Sequence, residues 1–302
     1  MPPNPLGSWM FDPVAVALML GTIGFFWWAS RRTRVARAQW WLLAIAVLLW
    51  SAATLSFVGV YVPQLFWVRA LQILLLFYVV PCLLALARPA TVLRGALGDP
   101  GWLDAVLGSP VLKVLLSPPL TSIAMLALPW LLYFTGWYVA SMAGPTAAAT
   151  RIVLLVIGFA YFYARLQVDP VPRRYPPLMS IGITVVEGIG DGILGLVLWL
   201  GPIIAHEYYA GLNRGFGPSI REDQTWGAGI LWILGDVLGV PFIMLLMRAL
   251  GQDERRKAAE VDAQLDAGTA LNTSGRTQAA AAEDTGGLWW QNDPQLRDRY
   301  RS

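Results

Sequence analysis

Seven long apolar runs dominate the chain, near residues 13–30, 39–61, 66–88, 119–141, 151–168, 177–205 and 226–250. Each, wound as a helix, is long enough to cross about 30 Å of hydrocarbon. None shows the period-two alternation of a half-buried strand, so a closed barrel is not supported and helices must satisfy the backbone. The pattern predicts an all-α polytopic membrane protein, a bundle of seven transmembrane helices. The first run starts near the N-terminus without a basic leader or a small-residue cleavage site, which marks it as a retained span and not a signal peptide. Residues 1–250 form the expected membrane domain and residues 251–302 a tail.

Composition agrees with this class and excludes a soluble domain. The chain is 56% hydrophobic and 14% charged, against about 45–50% and about 25% for soluble proteins. The placement of its basic residues sets an orientation. Arg31, Arg32, Arg34, Arg37, Arg88, Arg94, Lys113, Arg165, Arg173, Arg174, Arg248, Arg255, Arg256 and Lys257 fall on one set of connections, while the other holds only Arg69, Arg151, Arg214 and Arg221. The expectation is an N-terminus outside and a C-terminus in the cytoplasm. Residues 89–118 form a longer inside connection, expected to hold one short interfacial helix with Trp102 at the headgroups. In the tail, DERRKAAEVDAQLDA extends the last helix and 267–287 is Ala/Gly/Thr-rich and expected to be disordered. Its end carries Trp289 and Trp290 before a basic stretch: an anchor on anionic lipid, or a docking peptide. The lone Cys82 has no partner for an internal disulfide. The lipid bilayer is the implied partner, and no nucleic acid is implied.

The stretch VEGIGDGILG, residues 186–195, places Glu187 and Asp191 one turn apart at mid-span, on one helix face. Asp236 on the last run falls at a similar depth. Acids at that level face protein or water and mark a functional site by default. The alternative is that they are neutral and hydrogen-bonded across helices as glue. Gly188 and Gly192, at small-xxx-small spacing, are expected to let a neighbouring helix approach. Arg69 lies close enough to the end of its span to snorkel to the interface.

Candidates for metal ligation are few. His206 is the single histidine and sits beside Glu207, Tyr208 and Tyr209, which also reads as an interfacial belt. Cys82, Met179, Met244 and Met247 offer soft ligands suited to Cu(I), or simply fill gaps in the bundle. There is no G-x-S-x-G, P-loop or HExxH, so the chain does not read as an enzyme.

Three segments carry a family resemblance: RALQILLLFYVVPCLLALARP from Arg69, RIVLLVIGFAYFYARLQVDPVPRRYPP from Arg151, and DQTWGAGILWILGDV from Asp223. Their order resembles the CtaG-type cytochrome c oxidase assembly factors, over most of residues 8–250. The likeness rests on Gln72, Pro81 and Pro89, on Gly158 followed by Asp169 and Pro170, and on Asp223, Gln224, Gly227, Trp232 and Asp236. The Trp-Trp…Asp-Pro ending is similar to that of actinobacterial members. The resemblance implies a seven-helix protein of a bacterial plasma membrane linked to copper insertion into the oxidase. Family members carry histidines where this chain has Arg69, Ile73, Arg151 and Asp191. Arginine stays protonated and cannot ligate a metal, so the resemblance does not carry the family's metal ligands over. It suggests instead a core in which arginine and carboxylate supply cohesion.

Three functions fit these residues: an accessory or assembly protein of a heme–copper oxidase, acting in copper-centre maturation; a non-catalytic subunit or scaffold of a respiratory complex with metal binding lost; and a small-ion or proton transporter using the acids.

Overall fold

The computed structural model describes residues 7–265 apart from Asp99, Arg174, Pro176, Gly235, Asp236, Leu238, Pro241, Phe242, Leu245, Leu246, Ala249, Asp253 and Lys257. Among the described residues there is no strand. The helices are α1 (Pro13–Ser30), α2 (Arg37–Leu55), α3 (Phe57–Tyr61), α4 (Phe66–Leu74), α5 (Val80–Leu86), α6 (Pro89–Leu97) and α7 (Gly101–Leu107). They continue as α8 (Pro110–Leu115), α9 (Pro118–Phe134), α10 (Trp137–Ala140), α11 (Gly144–Leu166), α12 (Pro177–Leu200), α13 (His206–Gly211) and α14 (Ile220–Gly229). A π-helical turn, Leu75–Val79, joins α4 to α5, and a second, Ile230–Leu234, follows α14. The chain divides into two compact units, Met1–Met247 and Arg248–Ser302. In the second unit every described residue through Leu265 is helical; Trp289 and Trp290 lie outside the described residues.

Five helical stretches are long and apolar enough to cross a membrane: Pro13–Ser30, Arg37–Tyr61, Phe66–Leu97, Gly144–Leu166 and Leu178–Leu200. The run expected at 119–141 is shorter as a helix, since α9 ends at Phe134 and α10 starts a separate turn. The run expected at 226–250 begins within α14 and is described only in part. Although Phe66–Leu97 is continuous in hydropathy, α5 ends within it at Leu86. Arg88 has φ 56°, a left-handed conformation that costs a non-glycine residue energy and turns the chain sharply into α6. Residues 89–118 do not form one interfacial helix. They form three, because Gly98 (φ 71°) ends α6 and Ser109–Pro110 starts α8 with a capping hydroxyl. Trp102 on α7 is exposed, as expected.

Alpha-12 shows how these helices divide their faces. Ser180, Glu187, Leu194 and Leu198 are buried along one side, while Val185, Val186, Ile189 and Ile193 point outward. The spacing is helical, with polar groups turned into the bundle and aliphatic groups outward. Close approach occurs elsewhere than at Gly188 and Gly192. A Cβ on Gly188 would meet nothing within 4 Å and one on Gly192 only the Trp232 ring nitrogen at 3.6 Å. The tight contacts are at Gly190, against Leu126, and Gly195, against the Trp232 side chain. At the centre, a Cβ on Gly158 would sit 2.2 Å from the Phe77 carbonyl oxygen and 2.8 Å from Pro81. Alpha-11 therefore lies directly on the π-helical turn, and only glycine fits there.

Candidate functional site

A helix leaves its first four N–H groups and last four carbonyls without internal partners, and in lipid each must be satisfied by protein. Four polar residues of the family-like set do this across the fold. Alpha-2 stops at Leu55, and the Gln72 side-chain amide donates to the freed Ala53 carbonyl at 2.8 Å. Alpha-12 stops at Leu200, and the Gln224 amide donates to Leu198 and Pro202 carbonyls while its oxygen accepts from the Ile204 N–H. The Asp223 carboxylate accepts from the N–H groups of Phe66 and Trp67, both at 3.0 Å, and so caps α4 from another helix. It also pairs with Arg214 at 2.8 Å. Burial pushes the Asp223 carboxyl up, and the Trp67 and Phe66 N–H groups and Arg214 pull it back. Asp169 caps α6 in the same way, accepting from the N–H groups of Ala90 and Thr91 and from the Thr91 hydroxyl. Pro81 packs at the Gly158 contact, and Trp232 at Gly195.

Two polar centres occupy this frame. At the first, Arg165 near the end of α11 is fully buried. Its guanidinium pairs with Glu187 at 3.3 Å and donates to the Ser122 hydroxyl, the Ser180 carbonyl and the Thr184 hydroxyl. The Tyr161 hydroxyl donates to the other Glu187 oxygen at 2.7 Å, and Arg165 lies 5.2 Å from the Tyr161 ring centroid. Asp191, one turn on, accepts from the Tyr78 hydroxyl at 3.2 Å. Glu187 and Asp191 both act electrostatically on Tyr78 and Tyr161, so the two acids belong to one network. Asp236, expected to join them, lies outside the described residues.

The second centre is built on Arg69 in the first turn of α4. It does not snorkel: its exposure is 0%, because Phe66, Tyr133 and Tyr138 close over that turn with ring centroids 5.3–5.8 Å apart. Arg69 donates to the Gln72 side-chain oxygen at 2.8 Å and the Ser141 hydroxyl at 2.7 Å. The Tyr138 and Tyr209 hydroxyls meet at 2.8 Å, and burial raises Tyr209, which stays a neutral phenol. Arg151, also singled out in the sequence, pairs with Asp12 at 2.6 Å, and Asp12 caps the start of α1. The arginine–carboxylate pairs of this region are Arg165 with Glu187, Arg151 with Asp12 and Arg214 with Asp223.

Arg165, Asp12 and the tyrosines were missed in the sequence. Arg165 was placed among the basic residues of a connection, although Tyr161 and Arg165 stand four apart on one face near the end of an apolar run. That spacing was the available signal.

The soft-ligand candidates do not assemble. Met244 and Met247 point outward, His206 is exposed at the start of α13, Met179 lies at the start of α12, and Cys82 is partly buried on α5. Among the described residues no three His, Cys, Asp or Glu side chains form a metal-sized group.

Residues 21–252 match the cytochrome c oxidase caa3 assembly factor family. The chain belongs to this family. The trans-capping residues and the Gly158 contact all lie inside the matched region. Uncharacterized proteins of Mycobacterium bovis and Mycobacterium tuberculosis are each 29% identical to it over 281 residues, 86% of this chain and 42% of theirs. One from Mycobacterium leprae is 29% identical over 279 residues, covering 85% and 42%. The chain therefore spans less than half the length of these curated relatives. No solved structure matches it.

Proposed function

We propose that this member of the caa3 assembly factor family acts as an accessory protein in building a bacterial cytochrome c oxidase, through protein contacts in the plasma membrane. The observation that carries this reading is the family match over residues 21–252, together with a frame in which the family-like residues Gln72, Asp223 and Gln224 hold helix ends together. Copper, where the assembly requires it, is cargo, and the described residues do not gather a site for it.

The same proposal takes the chain as seven crossings with the N-terminus outside and the C-terminus inside. The basic asymmetry supports it even after Arg69 and Arg165 are set aside as buried. Of the remaining cations on the sparse side, Arg151 and Arg214 are held in ion pairs, which leaves Arg221. A scaffold role in a mature complex is the second reading, favoured by side chains at former histidine positions that now serve cohesion.

Mild-detergent purification with metal analysis of the same sample tests the proposal. Oxidase subunits should co-purify from cells accumulating incomplete oxidase, with copper well below one per chain, and deletion should lower the oxidase heme spectrum. An unchanged spectrum after deletion, with no oxidase subunit recovered, overturns it; recovery only with complete oxidase selects the scaffold reading.

A further inference from the structure

Among the described residues, Arg69 is a buried cation with no carboxylate partner. The remaining arginines of its neighbourhood are neutralised, Arg151 by Asp12 and Arg214 by Asp223. Among the described residues, the titratable groups that act on Arg69 are Tyr138, Tyr133, Tyr209, Tyr208 and Arg151, and none supplies negative charge. Guanidinium remains protonated and carries five N–H donors, of which the protein takes up one toward Gln72 and one toward Ser141. Its Nε–H is buried with no acceptor among the described residues. The Tyr133 hydroxyl, on a side chain 2% exposed, is likewise buried without a partner.

We propose that Arg69 and Tyr133 together bind a small monovalent inorganic anion of the halide class, as counter-ion to the buried guanidinium. A water molecule would supply an acceptor and no charge, whereas an uncompensated buried cation is costly and calls for both. With Arg69 at 0% exposure and one charge to balance, a halide fits better than a polyanion or a substrate carboxylate. Arg69 Nε–H and the Tyr133 O–H are the assigned donors.

The test uses the full chain in detergent, melted in gluconate buffer at constant ionic strength while chloride or bromide replaces gluconate. A ligand that binds only the native state raises the melting temperature with the logarithm of its concentration once that exceeds Kd. Tyr133→Phe should melt at or above wild type in gluconate, because it removes a buried hydroxyl with no partner among the described residues, yet need about ten-fold more halide for the same shift. Arg69→Gln should abolish the response; where that variant fails to fold, Tyr133→Phe decides alone. Bromide should give an anomalous-scattering peak within hydrogen-bond reach of Arg69 Nε. Melting indifferent to halide, or a halide response unchanged in Tyr133→Phe, overturns the proposal.

Discussion

Arg165 and Arg69 are both fully enclosed arginines within the Met1–Met247 unit, and they solve the same problem differently. Arg165 has a carboxylate, two hydroxyls, a carbonyl and an aromatic face around it. Arg69 has one amide oxygen and one hydroxyl. The first centre is electrically closed by the chain itself, and cutting it exposes charge. Among the described residues the second has no carboxylate to balance its charge. Burial alone therefore says little about a charged residue; the identity of its acceptors decides whether it is cement or a site.

The largest effect expected from this contrast comes from breaking the closed centre. Arg165→Met or Glu187→Leu should each destabilise the protein by about 3–5 kcal/mol, since each leaves an uncompensated buried charge. The double variant should recover most of that loss, because the pair's Coulomb attraction roughly offsets its desolvation. Arg69→Met, measured without halide, should cost less, about 1–3 kcal/mol, from the acceptors left on Gln72 and Ser141. Unfolding titrations in mixed detergent read all four. Equal losses for Arg69→Met and Arg165→Met would erase the distinction between the two centres.

The capping acids sharpen the comparison at intermediate size. Asp223→Ala frees two N–H groups and strands Arg214, whereas Asp169→Ala frees only N–H groups and a hydroxyl. A loss of about 3 kcal/mol is expected for Asp223→Ala and about 2 kcal/mol for Asp169→Ala. Asp223→Asn keeps one carbonyl acceptor and should fall between wild type and alanine. If Asp169→Ala proves the more damaging, the Arg214 pair contributes nothing and capping alone sets the cost.

Hydrophobic run length made the helical membrane class and most crossings legible, since lipid leaves few other solutions for apolar sequence of that length. The acids at 187 and 191 were also legible as inward-facing, because aliphatic residues occupy every other face of α12. Their partners were not. Arg165 sits near the end of a run, where basic residues usually mark a connection, and only the turn of α11 against α12 reveals it as a core residue. Gln72, Asp169, Asp223 and Gln224 stood out as a motif, but their acceptors and donors lie on other helices, as far as 157 positions away in the chain. Cross-helix capping depends on where helices stop, and although Pro89 after Arg88 and the capping residue Ser56 mark two of those stops, nothing local names the partner on the other helix.

The smallest expected effect tests whether local and long-range caps behave alike. Alpha-14 begins with a reciprocal box: the Ser219 hydroxyl accepts from the Glu222 N–H, and the Glu222 carboxylate accepts from the Ser219 N–H and hydroxyl. These bonds hold the Glu222 carboxyl below its ordinary value of 4.5, the Ser219 backbone bond first. Because the folded pKa is depressed, the stability it contributes is fully present above the unfolded value and is lost as pH falls through the folded one. The difference in melting temperature between wild type and Glu222→Gln should be small and constant from neutral pH down to the ordinary carboxylate range, then shrink at more acid pH. The buried cap Asp223, whose carboxyl is displaced upward instead, should not share that profile, so Asp223→Asn measured alongside separates an exposed, local cap from one enclosed between helices. Identical pH profiles for the two variants would mean that enclosure does not distinguish them.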